Sequence, residues 1–171
     1  MNIGDKFIRT FRVPVPLVDR ILEIVGLCLL VGMLAFTAFL YQRAPEQIAM
    51  RFNGAGEPIS WDNKVMYWYI AMLFVAMMLL SAASAYNFKL INLPFRLKEP
   101  VIGIQKMLIA RMSRCLTLCM GLLWLAYLIN TSVSFWDISL FAAIFSKVSL
   151  LCLFVVVFYY SVKAWWIGRK Y

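Results

Sequence analysis

Residues 44–64, APEQIAMRFNGAGEPISWDNK, form the one long polar loop between two apolar segments and carry a dense cluster of turn-forming residues. Pro45 has no backbone N–H with which to extend a preceding helix. Asn53-Gly54 is a turn signal, Gly54 and Gly56 offer positive φ for a tight reversal, and Glu57-Pro58 begins a second bend. Asp62 or Asn63 is placed to cap a helix that starts at about Lys64. Trp61, an amphipathic ring, is expected to rest on a membrane surface or on the loop itself. Together these residues predict an ordered miniature cap and not a slack linker.

The flanking sequence decides what this loop caps. The chain has 171 residues, of which 64% are hydrophobic and 15% charged, and its mean hydropathy is +0.81. A soluble domain, with about a quarter of its residues charged, could not cover so much apolar surface. Four stretches, residues 24–41, 65–88, 115–136 and 138–162, approach or exceed the ~18 to 20 apolar residues that cross a ~30 Å hydrocarbon core, the last interrupted by Lys147. Each must be a helix, because a lone spanning segment has to satisfy its own backbone hydrogen bonds. The expected fold class is therefore an all-α integral membrane protein, a four-helix transmembrane bundle with a structured extracytoplasmic loop between helices 1 and 2. The segments read as a basic arm (1–21), helix 1 (22–41), the motif loop (42–64), helix 2 (65–86), a basic loop (87–114), helix 3 with its short outer turn (115–136), helix 4 (137–163) and a tail (164–171). The first span is expected to be retained and not cleaved, being longer than a typical signal h-region and lacking a small-x-small site before Gln42.

Charge sets the expected orientation. Lys6, Arg9, Arg12 and Arg20 lie in the arm, Lys89, Arg96, Lys98, Lys106, Arg111 and Arg114 in the second connection, and Lys163, Arg169 and Lys170 at the end. Only Arg43, Arg51 and Lys64 lie on the other side, balanced by Glu46, Glu57 and Asp62. The positive-inside rule then puts both termini in the cytoplasm and the loop outside. The basic arm suits an anionic inner leaflet, and no nucleic-acid partner is expected. Residues 101–114 mix apolar and basic side chains as an interfacial helix would, leading into helix 3. The alternative for the basic connection is a docking surface for an acidic cytoplasmic partner. The small residues Ser81 to Ala85 admit close approach of another helix.

No catalytic set is visible. Histidine is absent, the four cysteines lie in apolar runs, and Glu57 is a single carboxylate without a second acid at fixed spacing. No catalytic residue, metal site or cofactor is expected. Lys147 lies about eight residues, roughly 12 Å, into helix 4. It either snorkels to the headgroups or turns inward to pair with Glu57 or Asp62. The candidate binding residues are Arg51, Asn53, Gly56, Glu57, Trp61 and Lys64, with Lys147 the intramembrane charge.

The loop also resembles the extracytoplasmic signature of a bacterial membrane family, domain of unknown function 1648, which forms the N-terminal part of SdpI-type immunity proteins. The family pattern reads approximately P-x-x-I-P-x-H-[FW]-N-x-x-G-E-x-D-x-[WY]-x-x-K. Pro45, Ile48, Phe52, Asn53, Gly56, Glu57, Trp61 and Lys64 match it without a gap. Ala49, Arg51 and Ile59 stand where the family usually has proline, histidine and aspartate, so the titrating imidazole and the second acid are missing. The resemblance implies a multi-pass protein of a bacterial inner membrane, non-enzymatic, with the bilayer and an external peptide or signal as partners, as in toxin immunity. The alternative is an accessory subunit of a transporter or envelope complex, with another membrane protein as partner.

Overall fold

The computed structural model describes residues 16–55, 57–87, 90–91, 95, 97, 101–132 and 139–170. The elements, in order, are α1 (Leu17–Arg43), β1 (Gln47–Phe52), β2 (Pro58–Asn63), α2 (Met66–Ser84), α3 (Ile102–Thr131) and α4 (Ser139–Lys170). All four helices are long and apolar enough to cross a membrane, with mean hydropathies of 2.4, 1.9, 1.6 and 2.5. The protein is a multi-pass membrane protein, mostly helical, as the sequence predicts. Most of the basic arm, and the greater part of the connection between α2 and α3, lie outside the described residues.

The helix ends follow local chemistry. Pro16 is the N-cap of α1, with an extended ψ of 152°, and its carbonyl accepts the N–H groups of Asp19 and Arg20 at 2.9 and 3.2 Å. Proline is well tolerated just at a helix start, where the N–H it lacks would have no partner. Helix α1 thus begins five residues before the predicted Leu22. At its other end Ala44 donates to Leu40 O at 2.8 Å and then turns extended, ψ 142°, as a residue preceding proline must. Helix α2 is introduced by Asn63, whose Oδ1 accepts the Val65 N–H at 2.9 Å.

The largest difference from the sequence reading is α3. Residues 102–114 do not form a separate interfacial helix on the bilayer surface; they continue into residues 115–131 as one 30-residue helix. Gln105, Leu108, Ile109, Ala110, Met112, Ser113 and Arg114 in that half are all buried. Half of the apolar window of α3 is buried in the fold, against 22%, 17% and 11% for α1, α2 and α4. Helix α3 is therefore the axis on which the other three are mounted, and the polar residues that made 101–114 look interfacial are its contacts to them.

Those contacts are specific. On the α1 side, Gly26 faces the Thr117 and Leu118 side chains, and Gly121 sits so close to Leu29 that an added Cβ would collide with the Leu29 side chain. On the α2 side, the Ser81 hydroxyl donates to the Ser113 carbonyl at 2.9 Å, so the small-residue run does admit a neighbouring backbone, and Phe74 stacks on Trp124 with ring centroids 5.9 Å apart. On the α4 side, the Gln105 amide passes over Gly168 to donate to the Ala164 carbonyl at 3.0 Å.

Charge fixes the end of the bundle where α1 starts. Asp19, 1% exposed, accepts from Arg111 Nε at 2.7 Å and lies 3.9 Å from Arg114 Nη1. Glu23, one helical turn on, accepts from Arg114 Nε at 2.7 Å and from the Tyr86 hydroxyl. Two of the six basic residues assigned to the second connection are thus neutralised inside the fold. Donation to the Glu23 carboxylate, aided by burial, raises the pKa of the Tyr86 phenol above its ordinary value.

Two tests follow. Gly121→Leu should destabilise the protein by about 1–3 kcal/mol through overpacking against Leu29, whereas Gly32→Ala, with nothing within 4 Å, should not; thermal unfolding in detergent distinguishes them. A raised phenol pKa means that the Tyr86–Glu23 contact stabilises the fold at and below pH ~10 and is lost as pH climbs through the raised value. The wild type should accordingly lose stability more steeply than Tyr86→Phe above that pH.

Candidate functional site

The polar loop is a β-hairpin, which the sequence reading described as an ordered cap without identifying its strands. β1 and β2 pair antiparallel, with Gln47 opposite Asn63, Ile48 opposite Asp62, Ala49 opposite Trp61, Arg51 opposite Ser60 and Phe52 opposite Pro58. The pairing skips Met50 in one strand and Ile59 in the other. Each strand therefore carries one extra residue, and the two bulges keep the strands in step while bending the ribbon.

The tip is closed by a side chain. Asn53 Oδ1 accepts the N–H groups of Ala55 at 3.0 Å and Glu57 at 2.9 Å, while Asn53 Nδ2 donates to Glu57 Oε2 at 2.7 Å. The backbone adds a bond from Asn53 N to Glu57 O at 2.9 Å. Gly54 does not take the left-handed φ expected of it; the Asn53 amide supplies the reversal by standing in for backbone acceptors. Gly56 lies outside the described residues.

At the base, Lys64 N donates to Glu46 O at 3.0 Å, and Lys64 Nζ reaches Glu46 Oε1 at 2.8 Å. That hydrogen bond chiefly raises the Lys64 pKa. The ammonium also lies 5.6 Å from the centroid of the Tyr41 ring, itself tilted against Trp68 at 6.0 Å. Tyr41 from the end of α1 and Trp68 from the start of α2 therefore meet beneath the loop.

The hairpin is seated on the bundle through β1. Ile48 and Ala49 are completely buried, and Ile48 joins Leu40, Ala44, Tyr67, Ala71, Trp124 and Leu128 in the core. Met50 Sδ is 3.3 Å from the Tyr127 hydroxyl of α3. At the tip, Lys147 Nζ donates to the Gly54 carbonyl at 3.1 Å. Lys147 reaches the hairpin end of the bundle, and it does tie the loop to α4, through a backbone carbonyl and not through Glu57 or Asp62. β2 stays open to the surroundings, with Trp61 52% and Ile59 64% exposed.

Between the hairpin, α3 and α4 lies a cavity of about 360 Å³, lined by Met50, Phe52, Asn53, Leu123, Ala126, Tyr127, Asn130, Ala143, Ser146 and Lys147. Its floor is organised by Asn130, whose Nδ2 donates to Ala126 O at 2.8 Å and to the Ser146 hydroxyl. Ser146 in turn donates to Ala142 O at 2.8 Å. The structure thus brings Asn53 and Lys147 to one cavity and leaves Arg51, Glu57, Trp61 and Lys64 on the hairpin's outer surface or base. In the sequence Tyr127 and Ser146 look like ordinary packing residues of apolar helices and Asn130 like part of the short outer turn; only the contact between α3 and α4 gathers them. Among the described residues, no group of three or more histidine, cysteine, aspartate or glutamate side chains is placed to hold a metal ion.

Comparison with known proteins singles out the same region. Residues 28–79 match the family model described as a domain of unknown function, DUF1648. The match runs from within α1, through the whole hairpin, to within α2, so the matched residues form a helix–hairpin–helix segment, and α3 and α4 lie outside the match. No curated protein and no solved structure matches the chain. Within the matched residues, Phe52, Asn53, Glu57 and Lys64 build the cavity wall, tip and base of the hairpin. Two of the three departures, Arg51 and Ile59, fall on exposed positions, and the third, Ala49, is a buried strand residue opposite Trp61.

Replacing Asn53 tests this account of the tip. Asn53→Ala removes the acceptor for two backbone N–H groups and the Glu57 partner, and should loosen the hairpin by about 1–2 kcal/mol without unfolding the helices. Faster amide exchange confined to residues 53–57 would register it.

Proposed function

We propose that this is a non-enzymatic protein of the bacterial cytoplasmic membrane that recognises an external peptide or signal through the hairpin, in the manner of SdpI-type immunity. The observation that carries the reading is the two-sidedness of the hairpin. Ile48 and Ala49 are fully buried against the bundle, while Arg51, Asn53, Glu57, Ile59 and Trp61 are displayed. A polar element that only terminated the bundle would need neither a pair of bulges nor a side-chain clasp at its tip. Rigid display of one Trp, one Ile and both signs of charge suits recognition, because little conformational entropy remains to be lost on binding. The excess of Lys and Arg at the opposite end supports an outward-facing hairpin and cytoplasmic termini. The absence of histidine and of paired acids in the hairpin sequence supports recognition over chemistry.

A second reading, an accessory subunit of a transporter or envelope complex, is favoured by one observation. Helix α4 packs along α3 alone among the larger helix contacts, and its far side carries an open apolar groove lined by Phe154, Val155, Phe158, Tyr159, Val162, Lys163 and Trp166.

A photo-crosslinking residue placed at Trp61 decides between them. Under the first reading it captures a secreted peptide, and Glu57→Ala or Trp61→Ala raises the sensitivity of cells to that peptide while the variants insert normally. Under the second, capture is strong from Phe158 and absent from Trp61, and a second membrane protein co-purifies in mild detergent.

A further inference from the structure

The cavity under the hairpin has a chemical bias that the displayed surface does not. Its lining includes one cation, Lys147, and no carboxylate. The ammonium's recorded bond is to the Gly54 carbonyl, at an exposed site, a neutral acceptor that an anion would outcompete. A second donor, the Tyr127 hydroxyl, is turned toward the thioether of Met50 at 3.3 Å, and sulfur of this kind is a weak acceptor. The Asn130 amide N–H groups are already committed to Ala126 O and Ser146, so they hold the floor and do not compete for ligand. The rest of the lining is apolar: Met50, Phe52, Leu123, Ala126 and Ala143.

We propose that this cavity binds the carboxylate end of a small apolar molecule, with Lys147 pairing with the carboxylate, the Tyr127 hydroxyl donating a second hydrogen bond, and the apolar body lying against Phe52, Leu123 and Ala143. A single ammonium with one hydroxyl matches a monoanion; a phosphate dianion calls for several cations or a fork of guanidinium donors. The volume, about 360 Å³, is at the lower end for small-molecule sites and suits one terminal residue of a peptide or a short acyl chain. Because Lys147 is also the clasp on Gly54, occupancy exchanges a contact that holds the tip for one that holds the ligand. The ligand is thereby read by the hairpin.

This inference rests on the reading of the hairpin as a recognition element, and the two fail separately. The probes are N-acetyl-leucine and its amide, and octanoate and octanamide, titrated into the full-length protein in nanodiscs with methyl-labelled methionines, following the Met50 signal. The expected result is a saturable shift with at least one acid and about tenfold weaker binding of the matching amide. A shift with N-acetyl-leucine identifies a peptide C-terminus, and a shift with octanoate alone identifies a free amphiphile. Lys147→Gln should abolish the preference for the acid, Tyr127→Phe should weaken binding several-fold, and Lys163→Gln, at the far end of α4, should do neither. If Lys147→Gln does not fold, Ala143→Leu, which fills the cavity and retains the cation, should abolish the shift. Equal binding of acids and amides, an undiminished preference in Lys147→Gln or Ala143→Leu, or no shift with any probe overturns the proposal. Capture of a peptide from Trp61 in that event leaves the recognition reading standing without this site.

Discussion

Asp19 is a carboxylate almost wholly withdrawn from solvent, held between Arg111 and Arg114 of a helix that begins more than eighty residues later. Removing either side would strand an uncompensated charge at low dielectric, a loss of roughly 3–5 kcal/mol, even though the intact group adds little over a well-packed apolar substitute. Its contribution is accordingly to register. With Glu23 paired to Arg114 one turn further on, α1 and α3 cannot slide or rotate against each other without disturbing all three ion pairs at once. That register places Gly26 against Thr117 and Leu29 in the notch over Gly121. Carried to the other end of the helices, it brings Leu40, Trp124 and Leu128 around Ile48. The seat of the hairpin is therefore set in part by charges near the opposite end of the bundle.

Helix α3 does most of the assembling. It answers α1 with arginines and a glycine, α2 with a backbone carbonyl and the Trp124 ring, and α4 with an amide that passes over Gly168. In hydrocarbon, apolar surface gives no driving force for helix association, and small residues with a few interhelical polar bonds supply it. The polar content of residues 102–114 is this kind of adhesive. Because the DUF1648 match ends at residue 79, the matched unit is a helix–hairpin–helix whose seat is completed by a helix from outside it.

What could be read from the sequence divides along the same physical line. The four spans, their order and the turn at Asn53-Gly54 depend on local hydropathy and turn chemistry, and they emerged directly. Lys147 was legible as an anomaly because a single charge inside an apolar run has few ways to be tolerated. The extent of α3 was not legible. Arg111 and Arg114 have the same composition whether they face headgroups or Asp19 and Glu23, and only tertiary pairing distinguishes the two. Asp19 and Glu23, four apart and on one face of α1, were the available signal, concealed by the basic residues around them. The strands were obscured because two bulges disturb the two-residue alternation that marks a strand. The cavity was invisible for a further reason: Tyr127, Asn130, Ser146 and Lys147 belong to two helices, and their meeting is a property of the α3–α4 packing.

The hydrogen bond from Gln105 to Ala164 bears on biogenesis. A chain delivered to the bilayer from its N-terminus presents α3 with its buried glutamine before α4 exists. Until α4 arrives, that amide lacks the Ala164 carbonyl it meets in the finished bundle. The same bond then holds the C-terminal end of α4 against the start of α3. A chain cut short before Ala164 would leave the joint between the two longest helices without this bond.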